Sequence, residues 1–226
     1  RSTSLAQRPK LKGEVDNPCS NMKSYLVSSE FINFNHPDVT RQAHDLAGQS
    51  STTHDLIKRC FEFVRDQIKH SADFKLNPVT CKASDVLRHG TGYCYAKSHL
   101  LAALLRANGV PTGLCYQRLS VQGQGAPYCL HGLNAVWLPE LGWHRIDARG
   151  NKPGVNAQFA PPLEALAFPV LDPHERDLPE VWAEPLPVVI AALTQYTTHE
   201  QVLQNLPDIE LWVHSPSRDP SCRTST

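Results

Sequence analysis

The order in which the hydrophobic period changes along the chain constrains its fold most. Before residue 108 the apolar residues recur at helical spacing, as in Leu56, Ile57, Cys60, Phe61, Val64 and Ile68 behind a cap at Thr52 or Thr53. From Leu114 the pattern shortens. Leu114–Leu119, Leu130–Leu138 and Trp143–Ile146 are brief, rich in aromatic and branched residues, and separated by Gly123 and Gly125 and by Pro139-Glu140-Leu141-Gly142. Helices followed by neighbouring strands, rather than alternating with them, predict an α+β domain with an antiparallel sheet.

Other boundaries follow from local chemistry. Asp38 reads as the cap of a short helix ending at Gly48, and Cys81–His89 as a helical turn stopped by Gly90 and Gly92. A buried helix carrying Leu100, Leu101, Leu104 and Leu105 begins at Cys94 and ends at Asn108-Gly109, with Pro111 beyond. Two late helices are expected at Pro187–Tyr196 and Thr198–Leu206, the second opening with a Thr198/Gln201 capping box. They are expected to add packing and no chemistry.

The formal net charge is zero, with 22 Lys+Arg against 22 Asp+Glu, which argues against a nucleic-acid-coating protein and against charge-driven membrane binding. The balance is uneven along the chain. Residues 1–150 carry 18 basic and 12 acidic residues, residues 151–226 carry 4 and 10, and 11 of the 18 prolines follow residue 150. We therefore expect a tail at residues 1–16, a catalytic core at 17–150, and an acidic, proline-rich extension at 151–226 packed on that core. No apolar stretch suggests a signal peptide or a membrane span. Seven cysteines without a C-x-x-C pair suit reduced thiols, so the expected compartment is the cytoplasm.

Nucleophile elbows, P-loops, H-E-x-x-H helices and dinucleotide fingerprints are all missing from the sequence. Cys94 stands out instead. It sits in the first turn of a helix, two residues after Gly92, where free backbone N–H groups and the positive helix end favour thiolate over thiol. The same amides can donate to an oxyanion when the sulfur attacks a carbonyl.

Such a nucleophile needs a base, and the base an orienting partner. His131 lies on the Leu130–Leu138 strand on the face of Leu133, Ala135 and Trp137, and Asp147 ends the next strand. If Pro139–Gly142 closes a hairpin, the two lie opposite or diagonal to one another, within reach of an imidazole–carboxylate hydrogen bond. Cys94 is then the nucleophile, His131 the general base and acid, and Asp147 the group fixing the imidazole tautomer. No cofactor and no metal are expected, since Cys129-x-His131 with Cys115 and His144 nearby lacks a spaced fourth ligand. Lys97, one turn after Cys94, is read as a solvated lysine. Trp143 is expected to pack behind the hairpin, and Gln67 and His70 are polar alternatives for an oxyanion donor between which the sequence does not decide.

These residues resemble the transglutaminase-like superfamily. The likeness runs from about Phe61 to Asp147 and includes Gly92-Tyr93-Cys94, Arg106-Ala107-Asn108-Gly109-Val110-Pro111, His131 and Gly142-Trp143…Ile146-Asp147. It implies a papain-like cysteine protease fold and acyl-thioenzyme chemistry on a peptide or protein amide, most simply hydrolysis. Members commonly carry an aromatic residue where this chain has Leu133 and a proline where it has Ala148, which bears on substrate preference. Gly92-Tyr93-Cys94 and the strand from His131 also resemble arylamine N-acetyltransferases. Transamidation, an acetyltransferase-like reaction and a non-catalytic binding module of the same fold are the alternatives.

Overall fold

The computed structural model describes residues 22–210 of the 226-residue chain, so the tail assigned to residues 1–16 lies outside the described residues. The first half is helical, with α1 at Pro37–Gly48, α2 at Thr53–Glu62, a short α3 at Ser71–Phe74, α4 at Ala83–His89 and α5 at Cys94–Ala107. Two-residue strands β1 (Lys69–His70) and β2 (Thr91–Gly92) pair in parallel, setting His70 beside Gly92. The main sheet is antiparallel in the order β5-β4-β3-β8, built from β3 (Thr112–Ser120), β4 (Tyr128–Leu138), β5 (Gly142–Ile146) and β8 (Arg176–Asp177). A small hairpin of β6 (Gln158–Ala160) and β7 (Leu163–Ala165) precedes β8, and α6 (Pro187–Thr194) and α7 (His199–Gln204) follow it. The expected α+β architecture is observed.

Local sequence explains most boundaries and two departures. The α1 cap is His36, whose Nδ1 accepts from Asp38 N–H at 3.3 Å, because Pro37 already occupies the first helical position. Asp38 lies inside the first turn and pairs with Arg41 instead. The second departure concerns the long helix expected to reach Ile68. It ends as α2 at Glu62 and continues as a π-turn over Phe63–Gln67, which still buries Val64 and Ile68. The capping box of Thr198 and Gln201 forms as expected.

Helix α5 is the centre of the molecule. Every residue from Cys94 to Arg106 is buried, with α1, α2 and α4 packed around it and β3 and β4 on its remaining side. Leu100, Leu101, Leu104 and Leu105 are wholly covered, each contributing about 2 kcal/mol of burial free energy. The two buried cations of this helix, Lys97 and Arg106, donate to backbone carbonyls outside it. Arg106 donates to the carbonyls of Thr112 (2.9 Å), Val27 (3.1 Å) and Ala183 (2.7 Å), tying the start of β3 to two distant stretches of chain. Gly109 turns the chain from α5 into β3 at φ 74°, a conformation that disfavours side chains.

The described part of the region after residue 150 is woven into this body. Trp182 and Leu114 exchange backbone hydrogen bonds, β8 adds an edge to β3, and Arg118 grips Asp208 through two 2.7 Å contacts.

Strand β4 approaches α5 most closely at Gly132. A Cβ there would lie 2.9 Å from the Tyr95 ring and 3.1 Å and 3.2 Å from Tyr95 Cα and N, so only glycine lets the strand rest on the helix start. Gly132→Ala is expected to force strand and helix apart at a cost of about 1–3 kcal/mol. A lower denaturant midpoint together with lost turnover would check this; wild-type values for both would refute it.

Candidate active site

Cys94, His131 and Asp147 come together around that contact. Tyr93 is the N-cap of α5 and makes no side-chain capping bond, so the first-turn amides of Cys94 and its neighbours remain available to a ligand. Gly132 N–H donates to Cys94 Sγ at 3.4 Å, which fixes the sulfur against the strand. His131 is the preceding residue of that strand. It shares parity with Leu133 and Ala135, which form a second cluster with Cys115 on the face away from α5, covered by Trp143, Leu166 and Val181. The missing side chain at Gly132 is what allows a helix on one face to meet a histidine of the other parity.

Asn134 pairs with Ile146, so continuing the ladder by one residue sets Asp147 opposite Leu133 and diagonal to His131. The two side chains meet with His131 Nε2 2.7 Å from Asp147 Oδ2. Because Nε2 is taken, Nδ1 is the ring nitrogen left free for Cys94, which lines the same cavity as His131. Asp147 is fully covered, and two backbone N–H groups complete its shell: Arg149 at 3.1 Å and Ala167 at 3.0 Å.

Burial works against a charged His131, but the carboxylate of Asp147 and then Cys94 outweigh it and push the imidazole up to about 10. Burial likewise opposes ionisation of Asp147, and the His131 charge and hydrogen bond hold its carboxyl below the usual range. Burial pushes Cys60, Cys81, Cys115 and Cys129 each up to about 12.

Cys94 and His131 open into a cavity of about 420 Å³, with Asp147 behind them. A larger groove of about 580 Å³, bounded by His54, Lys58, Glu140 and Phe159, contains none of the three. The polar side of the smaller cavity is a network. Arg149 grips both oxygens of Asp73 (2.6 and 3.0 Å), and Lys152 adds a 2.8 Å bond. Burial disfavours the Asp73 anion, but these bonds override it and hold the carboxyl low. His70 also lines the cavity, with its Nδ1 3.7 Å from Asp73; burial, then the charge of Arg149, keep its imidazole well below the ordinary range. Of the two polar alternatives, His70 therefore faces the site, whereas Gln67 lies exposed on the π-turn and does not line it.

Two sequence expectations need correction. Lys97 is not solvated. It is 1% exposed and donates to the carbonyls of Ile68 (2.5 Å) and Arg65 (3.3 Å), because the π-turn leaves those carbonyls without helical partners. Burial, and next the charge of Arg149, push its ammonium down to about 7. The last helix is not mere packing, since Leu203 of α7 and the following Leu206 line the cavity. Trp143 packs against Tyr25 and Trp137, at 4.7 and 5.7 Å between centroids, on the outer side of the sheet.

Sequence reasoning missed the strap that follows β7. Besides Ala167 N–H on Asp147, it places the Phe168 ring edge-on to His131 at 5.1 Å, with the Arg149 guanidinium 5.5 Å from the same ring. Nothing local marks Phe168, although a glycine inside a strand pattern does flag Gly132 as a place of close approach. Phe168→Ala is expected to wet the His131–Asp147 bond and loosen the imidazole, lowering kcat about ten- to a hundredfold with little change in KM. Unchanged kcat would remove Phe168 from the site.

Residues 40–148 match the family model described as the transglutaminase-like superfamily. The chain carries a transglutaminase-like core. No curated protein matches it. Among solved structures it is similar to a candidate cysteine protease from Cytophaga hutchinsonii (15% identity, TM-score 0.48), the match covering 59% of this chain and 45% of that one. It is also similar to the periplasmic domain of TgpA from Pseudomonas aeruginosa (18% identity, TM-score 0.44), covering 58% and 47%. The chain thus spans under half the length of these two proteins. Among the described residues no helix is long and apolar enough to cross a membrane.

Proposed function

We propose that the transglutaminase-like core is a cysteine-dependent acyl-transfer enzyme that hydrolyses amide bonds of peptide type through a thioester. The observation that supports this reading is His131 bonded to the Asp147 carboxylate and lining one cavity with Cys94, which starts a helix whose first amides are uncapped. In the reaction the Cys94 thiol gives its proton to His131, the sulfur adds to the amide carbon, and the carbonyl electrons move to oxygen, which the first-turn N–H groups of α5 receive. Collapse breaks the C–N bond while protonated His131 gives its proton to the departing amine. Neutral His131 then takes a proton from water as hydroxide adds to the thioester, and collapse returns the sulfur and releases the acid. Asp147 holds the ring in one tautomer and stabilises the imidazolium throughout.

An amine can replace water in the second half, which gives transamidation. Product analysis with and without a primary amine separates the two outcomes. The primary test is alkylation by iodoacetamide at pH 7 with peptide mapping, run beside activity measurements on Cys94→Ala. Cys94 is expected to be modified ahead of Cys60, Cys81, Cys115 and Cys129, with activity lost in parallel. Full activity after modification of Cys94, or in Cys94→Ala, would reject the proposal.

A further inference from the structure

The walls of the Cys94 cavity divide into two arcs of different chemistry, and this division bears on the substrate. It rests on the reading of Cys94 as the nucleophile. Starting from α3, which carries Asp73, the wall passes to α7, packed directly against it. The chain leaving α7 accepts a bond at Pro207 from Leu130 N–H (2.7 Å), which joins it to the β3–β4 hairpin. Phe168 comes next, between His131 and Arg149, and Arg149 with Lys152 returns to Asp73.

One arc is apolar, formed by Leu203, Leu206, Leu130, Leu119 and Val121. Its two rim residues are left uncovered, Leu203 at 49% and Val121 at 44% exposure, on different elements of the same rim. The other arc is formed by His70, Asp73, Arg149 and Lys152. Asp73 is the only carboxylate among the lining residues and stands against two cations, so this arc carries one net positive charge with His70 neutral. Lys152 is 41% exposed and donates to Asp73, which leaves ammonium N–H groups for a second acceptor. The His131–Asp147 pair adds no net charge of its own when the imidazole is protonated.

We propose that the substrate is a small peptide-like amide in which an apolar side chain and a free carboxylate flank the scissile bond, the first held by the leucine arc and the second by Lys152 and Arg149. The cavity volume of about 420 Å³ falls within the range of small-ligand sites. A charge-assisted bond to the carboxylate and a filled apolar arc each supply roughly tenfold or more in selectivity.

The test uses dipeptides of leucine and glycine in both orders, with a free C-terminal carboxylate, with that carboxylate capped as an amide, or with serine in place of leucine. Turnover is measured on the wild-type chain and calorimetric binding on Cys94→Ala. The free acid is expected to exceed its capped form, and leucine its serine counterpart, each by about tenfold or more in kcat/KM and in affinity. Lys152→Glu is expected to collapse the acid-to-amide ratio and Leu203→Asp the leucine-to-serine ratio. Equal binding across the panel, no binding, or ratios unmoved by these substitutions would overturn the proposal. Turnover that persists in Cys94→Ala would instead overturn the catalytic reading, so the two failures are distinguishable.

Discussion

Cys94→Ala is expected to abolish turnover, with kcat falling on the order of 10⁵–10⁶-fold, while the protein stays folded. In the proposed reaction the sulfur is the atom that bonds to carbon, and no other described cysteine is placed to replace it. Cys60, Cys81 and Cys115 are buried away from the cavity, and Cys129, which lines it, is pushed up to about 12 by burial. The substitution removes one weak contact, the 3.4 Å bond from Gly132 N–H, so the far-ultraviolet spectrum should match that of the wild type. Residual activity within tenfold of wild type would mean that the chemistry lies elsewhere.

Asp147→Asn combines a catalytic loss with a structural one. In the wild type Asp147 accepts from His131, Arg149 N–H and Ala167 N–H, with no exposure. An asparagine amide turned toward any of these sets donor against donor in a site closed to water. We expect kcat to fall about 10⁴-fold and stability to fall by about 3 kcal/mol. The pH dependence should change as well. Raised to about 10, His131 keeps its proton through neutrality, so the wild-type rate should fall only as pH climbs through about 10. Without the carboxylate charge that limb should move toward about 6.5, the ordinary imidazole value.

Stability carries the same signature in the wild type. His131, raised on folding, stabilises fully below about pH 6.5, and its contribution is lost as pH rises to about 10. Asp147, lowered on folding, stabilises above the ordinary carboxylate range, and its contribution is lost as pH falls through its folded value. Asp147→Asn should erase both limbs. A pH–rate profile and pH-dependent unfolding midpoints identical to those of the wild type would remove Asp147 from the proposed triad.

How far the sequence discloses this arrangement depends on the range of the forces involved. The α5 start at Cys94 and the β4–β5 hairpin are legible because apolar period, glycine and proline act over a few residues. The diagonal meeting of His131 with Asp147 follows from that hairpin alone, once Asn134 pairs with Ile146. The strap is illegible for the opposite reason. Strands β6, β7 and β8 are two or three residues long and too short to show a period, and Ala167 reaches Asp147 across 20 residues. Lys97 is misread by a local rule, because the carbonyls that bury it come from a π-turn 29 to 32 residues earlier. Leu203 and Leu206 are recognisable as apolar, but only the fold brings them beside the thiol.

The most direct test is intact-mass analysis of acid-quenched protein during turnover of a chromogenic acyl ester or amide. A transient adduct equal to the acyl group, mapped to Cys94 and missing in Cys94→Ala, is the predicted result. Sustained turnover with no adduct on Cys94, and with Cys94→Ala still active, would contradict it.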